Sequence, residues 1–145
     1  MFRRQHTEIV VLTNEDTLGA AFITAAIFND LFPRLAAAAR AAMPGEDPAV
    51  RRRIVAFALP MLHHKLDRSL LTPQLNQLYS DRMVAAVVRP AANPIDPTFV
   101  YRGVTPAPGG PIYSYLLRYP ELDLKLTVQV DKAANKISFF EIVPP

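Results

Sequence analysis

The stretch "PIYSYLLRYPELDLKLTVQV", residues 111–130, decides the fold. Its second half alternates without a fault. Leu122, Leu124, Leu126, Val128 and Val130 fall on one side, and Asp123, Lys125, Thr127 and Gln129 fall on the other. A period of two is the signature of a strand with one buried face. Pro120-Glu121 interrupts the pattern, so two strands meet there across a turn. Pairing Tyr119 with Leu122 places Leu117 opposite Leu124, Tyr115 opposite Leu126 and Tyr113 opposite Val128. Arg118 then meets Asp123 on the other face, an opposite-charge pair. A slip of one residue would send every apolar side chain to the wrong face.

Working outward, "TFVYRGV" (98–104) reads as a strand before this hairpin and "KISFFEIV" (136–143) as one after it. The last strand carries an anomaly. Pairing Val130 with Ile137 puts Val128 opposite Phe139 and Leu126 opposite Glu141, so that Glu141 points inward near Tyr115. A carboxyl held there would be desolvated and could serve as a general acid or base, or grip a ligand. The competing reading is a β-bulge at Phe139-Phe140 that turns Ile142 inward and leaves Glu141 in water. Burying an unpaired carboxylate costs several kcal/mol, which favours the bulge.

Upstream the signals are helical. "EIVVL" (8–12) suits a short strand, and Thr13 with Asp16 resembles a capping box. A helix follows to about Phe32, and "RLAAAARAAM" (34–43) continues after Pro33. "PGEDP" (44–48) is a break, with Asp47 as N-cap and Pro48 at the first helical position. The next helix is expected over 48–68. Thr72-Pro73 repeats the start signal for a helix reaching about Val88, and "RPAANPIDP" (89–97) is a connector. The expected class is α+β: N-terminal helices (about 13–88) packed on one face of a C-terminal four-stranded antiparallel meander (about 98–143), in a single domain.

Composition narrows the functional classes. The chain has 145 residues, half of them hydrophobic, which suits one globular core. With no cysteine, thiolate chemistry and disulfides are excluded. The net charge of +3 is scattered apart from Arg3-Arg4 and the triplet Arg51-Arg52-Arg53. No aromatic residues interleave with the triplet, so no nucleic-acid platform is expected. The apolar segment 17–32 is too short to span a bilayer and is interrupted by Asn29 and Asp30. Early acidic residues argue against a signal peptide. Localisation stays open: cytoplasmic as written, periplasmic if a leader has been removed.

"LLTPQLNQLYSDR" (70–82) followed by "NPIDPTFVYRG" (93–103) resembles the nuclear-transport-factor-2-like superfamily, the cystatin-like α+β cones, over about residues 68–143. The likeness lies in a Thr-Pro helix leading to an Asp-Pro start of the first strand. The extended helical N-terminal region departs from that pattern. The resemblance implies a cone with a pocket between helices and sheet, used by members as an enzyme site, as a ligand site or not at all. It carries over no catalytic residue.

Candidate site residues are few. In "PMLHHKLDRSLL" (60–71) a continuous helix would put His63 and Asp67 on one face, a spacing that suits a general base with its orienting carboxylate. A third metal ligand is not in sight, so no metal site is expected. The competing reading is a surface helix whose apolar stripe is Leu59, Leu62, Leu66 and Leu70. Tyr113, Tyr115 and Tyr119 point inward by the register above. They either line a ligand pocket or form the core edge with hydroxyls in water. The loop "TPAPGGP" (105–111) precedes no helix and is not a phosphate loop, and no other cofactor motif is found. The helix over 17–32 is apolar nearly all round, which a small domain struggles to bury. The functional expectation is a non-enzymatic binding or assembly domain, a homo-oligomer or partner-bound. The alternative is a small cone-fold enzyme or a protein that takes a small apolar ligand.

Overall fold

A computed structural model describes residues 10–11, 19–88, 95–120 and 122–145. The strand expected over 8–12, the Thr13–Asp16 cap, the Arg3-Arg4 pair and most of the 89–97 connector lie outside the described residues. The chain divides into two compact units, one holding residues up to Ala41 with Pro144–Pro145, the other Ala42–Val143. The class is α+β, with helices first and a four-stranded antiparallel sheet after them.

The first unit contains α1 (Gly19–Leu31) and α2 (Pro33–Arg40). Phe32 separates them because Pro33 cannot donate a backbone hydrogen bond, and Phe32 itself leaves the helical region at φ −132° and ψ 57°. The Phe28 and Phe32 rings meet at 5.6 Å across the break. On α1 the side chains of Ile23, Ile27 and Leu31 follow one another at every fourth residue and are 47, 37 and 58% exposed.

The second unit begins with a short strap, 42–47, that leads into α3 (Pro48–Leu62). Asp47 caps that helix by accepting from the Ala49 N–H at 2.8 Å, with Pro48 at its first position. The buried stripe of α3 is Ile54, Phe57, Ala58, Met61 and Leu62, a helical repeat of three and four. It is not the leucine stripe expected from the sequence, because the helix ends six residues early. His63 is the C-cap and His64 takes the left-handed conformation at φ +59°. The Lys65 N–H donates to the Pro60 carbonyl at 2.8 Å and the His64 N–H to that of Met61 at 2.9 Å, a Schellman motif built on histidine where glycine is usual.

A 3₁₀ turn (Arg68–Leu70) follows. The expected helix to Val88 is divided into α4 (Pro73–Leu78) and α5 (Asp81–Val88). The Thr72 hydroxyl caps α4 at Leu75, and that of Ser80 accepts from the Met83 N–H. Arg68 braces the division: its guanidinium donates to Asn76 Oδ1 at 2.7 Å and the Tyr79 carbonyl at 3.0 Å, and pairs with Asp81.

The sheet runs β1 (Thr98–Thr105), β2 (Ile112–Arg118), β3 (Asp123–Val130), β4 (Ile137–Val143), in that spatial order. Every hairpin pair read from the sequence is present: Leu117 with Leu124, Tyr115 with Leu126, Tyr113 with Val128 and Arg118 with Asp123, closed by Tyr119 N–H to the Leu122 carbonyl. The inner face carries the row Tyr101, Tyr115, Leu126 and Ile142, all buried. Phe57 of α3 meets Phe140 edge-on at 5.3 Å, which seats the helix on the sheet. On the opposite face Val100 and Leu116 pair and are buried as well. The β2 start is held by Gln129, whose amide donates to the carbonyls of Pro108 and Gly110 at 2.8 and 3.0 Å. Gly110 must be glycine, since a Cβ there would overlap the Val130 carbonyl oxygen at φ +147°.

The register of β4 corrects the inward placing of Glu141. Ser138 is an extra residue: Val130 pairs with Ile137, but Gln129 pairs with Phe139. From there the faces are exchanged, as a bulge requires. Phe140 is 1% exposed where Phe139 is 39%, Ile142 is buried opposite Leu126, and Glu141 is exposed opposite Thr127. The bulge lies one residue earlier than the sequence placed it, with the same consequence. Among the described residues no helix is long and apolar enough to cross a membrane.

Candidate functional site

Two sets of polar groups gather in the second unit, one at each end of α3. In the N-terminal set the carboxylate and the phenol are the more buried, while its cation, Arg51, is 40% exposed. Arg51, one turn into the helix, donates through Nη1 to both Glu46 carboxylate oxygens at 3.1 and 3.0 Å. Its Nη2 donates to the Phe99 carbonyl of β1 at 3.1 Å. One side chain thus joins the strap, the helix and an edge strand. The strap also pairs with β1 through the Met43 N–H and the Tyr101 carbonyl at 2.9 Å. Both contacts fall beside a bulge in β1 between Tyr101 and Gly103, where the absence of a side chain leaves room for Met43.

Under the strap lie three tyrosines. Tyr115 is fully buried at the centre, with Tyr101 edge-on at 5.6 Å and Phe99 edge-on at 6.3 Å. Among the described residues nothing lies in good hydrogen-bond geometry with the Tyr115 hydroxyl. Burial first, and then the neighbouring Glu46 carboxylate, hold that phenol far above its ordinary value. Tyr113, half-buried, is also raised, by burial and then by Asp47. The basic triplet is divided among separate tasks: Arg51 in this set, and Arg53 on Asn135 of the β3–β4 turn.

The C-terminal set is more open. His63 Nε2 lies 2.7 Å from Asp96 Oδ1, with the side chains 38 and 60% exposed. Tyr119 is buried nearby, and its phenol is raised to about 12, by burial first and then by Asp96. The His63–Asp67 pair of the sequence reading does not form. The Schellman turn separates them, and Asp67 instead caps the 3₁₀ turn by accepting from the Ser69 N–H and hydroxyl at 2.9 and 2.7 Å. Those two bonds, the hydroxyl's first, lower its pKa. Glu141 stands on the exposed face of β4, apart from both sets. Among the described residues no group of three or more His, Asp or Glu gathers as metal ligands do.

The sequence reading named Tyr113, Tyr115 and Tyr119 as one set. The first two lie near Asp47 and Glu46 and the third near Asp96, and the groups that face them were missed. Glu46, Arg51 and Asp96 lie in a loop, on a helix and in a connector, where no periodicity points them at the sheet. The signal that was available is "PGEDP" itself: a Glu next to a helix N-cap and five residues before an Arg is placed to fold back onto that helix. Comparison of the chain with family models, with curated proteins and with solved structures finds no match.

Proposed function

We propose that this chain is a non-enzymatic binding and assembly module that self-associates through α1. The observation that carries the reading is the row Ile23, Ile27 and Leu31, three large apolar side chains exposed along one helix face. Such a stripe gains free energy when a second apolar surface covers it, at about 25 cal/mol per Å² of apolar area removed from water. Size-exclusion chromatography with light scattering is the test. The wild-type chain is expected at twice its 16.1 kDa or more, and Ile27→Glu at 16.1 kDa with an unchanged circular dichroism spectrum. A wild-type chain that stays monomeric at high concentration overturns the reading.

A second reading is a small-ligand site between α3 and the sheet, of the kind the nuclear-transport-factor-2-like resemblance implies. One observation favours it: the fully buried Tyr115 hydroxyl beside Glu46 and Arg51, which among the described residues meets no acceptor in good hydrogen-bond geometry. A native core rarely leaves such a group unsatisfied without a use for it. Chemistry is less favoured, because the His63–Asp96 pair is open to water and His63 forms part of a helix-ending turn.

A further inference from the structure

We propose that Arg51 and Tyr115 form a binding site for a small carboxylate, and that the Glu46 carboxylate occupies it as an intramolecular stand-in while no ligand is bound. The inference rests on the second reading above, that the tyrosine end of α3 takes a small molecule, and names the chemical class and the means of control.

The Arg51 guanidinium is held by more than its ion pair. Nη2 donates to the Phe99 carbonyl at 3.1 Å, a second anchor for the guanidinium that does not involve Glu46. Nη1 is shared between both oxygens of one carboxylate, a charge-assisted contact that any small carboxylate could take over. The Tyr115 hydroxyl is a second donor for the same anion: it is buried beside the Glu46 carboxylate, and among the described residues no acceptor meets it in good hydrogen-bond geometry. The Tyr101, Tyr115 and Phe99 rings pack edge-on beside the hydroxyl, so a small aromatic body is the complement they favour.

The carrier of Glu46 is built to release it. Met43 is tied to Tyr101 on one side and Asp47 caps α3 on the other, so Glu46 lies between two fixed points. Between Met43 and Glu46 stand Pro44 and Gly45, both exposed. Gly45 sits at φ +86°, with nothing within 4 Å of where a side chain would begin. Glu46 can therefore swing to water without disturbing the helix or the sheet. A ligand carboxylate must displace Glu46 from Arg51, so ligand affinity in the intact chain is weak and is set by how readily Glu46 leaves.

The test is an amide NMR titration with benzoate on the wild type, Glu46→Ala and Glu46→Ala/Arg51→Leu, with benzamide as the neutral control. The spectra also report whether each variant is folded, and Glu46→Gln stands in if the alanine variant is not. The expected result is about tenfold tighter benzoate binding by Glu46→Ala than by the wild type. Shifts should centre on Arg51 and Tyr115, and binding should be lost in the double variant and with benzamide. Equal affinity in wild type and Glu46→Ala overturns the stand-in role and leaves the ligand reading. Equal binding of benzamide overturns the carboxylate class. No binding by either protein overturns both.

Discussion

The two ends of α3 hold the same kinds of group in opposite surroundings. At the N-terminal end the strap's own Glu46 pairs with Arg51 beside a fully buried Tyr115. The contrast lies in the carboxylate and the phenol, since the Arg51 side chain is 40% exposed. At the C-terminal end His63 and Asp96 meet in the open beside Tyr119. An exposed ion pair contributes about 0–1 kcal/mol, since water serves both partners nearly as well. A buried polar atom without a partner costs about 1–3 kcal/mol. The difference teaches where function is to be sought. The open pair is free to be a surface contact, whereas the covered hydroxyl is a cost to the free chain that binding can offset.

The largest effect is expected midway between the ends. Phe57 is fully buried against Phe140, and Phe57→Ala is expected to cost about 3–5 kcal/mol in urea unfolding. A loss under about 1 kcal/mol would mean that α3 does not rest on the sheet, and the comparison of its ends would lose its frame.

Alkaline pH sharpens the comparison. Tyr119 is raised from 10.0 to about 12, and Tyr115 is raised further. Both native phenols hold their protons more tightly than the unfolded chain does. Their contribution is complete below about pH 10 and is lost as pH rises through 10 towards 12 and beyond. For Tyr119 that loss is on the order of 2 kcal/mol. Unfolding curves from pH 8 to 12 should show the decline, shallower in Tyr119→Phe. A flat profile would mean that neither ring is buried in solution.

The turn at the open end yields to a single substitution. His64 has a left-handed backbone where only glycine is free of strain, so His64→Gly is expected to raise stability by about 1 kcal/mol in thermal unfolding. Destabilisation would show that the His64 side chain contributes more than its backbone costs. His63→Ala removes one partner of an exposed pair and is expected to cost no more than about 1 kcal/mol. A larger loss would place the C-terminal set among the structural anchors.

The same contrast governs what the sequence disclosed. Strands announce themselves when every second residue is apolar, and the β2–β3 hairpin was legible pair by pair for that reason. The caps at Asp47 and Thr72 were legible because side chain and proline mark them together. The end of α3 was not. A Schellman turn on glycine can be seen in a sequence, but His64 gives no such sign, and "HHKLDRSLL" keeps a helical spacing of leucines past the true end. The division at Tyr79–Ser80 was hidden likewise, since Arg68 braces it from outside the segment. The bulge at Ser138 could be anticipated as one of two readings, because a buried Glu141 would have been costly, but its position depends on packing around Phe140. The site was half legible. Its tyrosines follow from strand register, whereas Glu46, Arg51 and Asp96 reach them only through the folded path of the chain.

The central claim is that, among the described residues, the Tyr115 hydroxyl has no partner in good hydrogen-bond geometry, and Tyr115→Phe tests it most directly. Chemical denaturation of the wild type and this variant, side by side at neutral pH, is the measurement. Removing an unsatisfied buried hydroxyl while keeping the ring is expected to leave stability unchanged or raise it by about 1 kcal/mol. A loss of about 1 kcal/mol or more would show that the hydroxyl is already bonded within the chain, and that the covered end of α3 holds no donor in waiting.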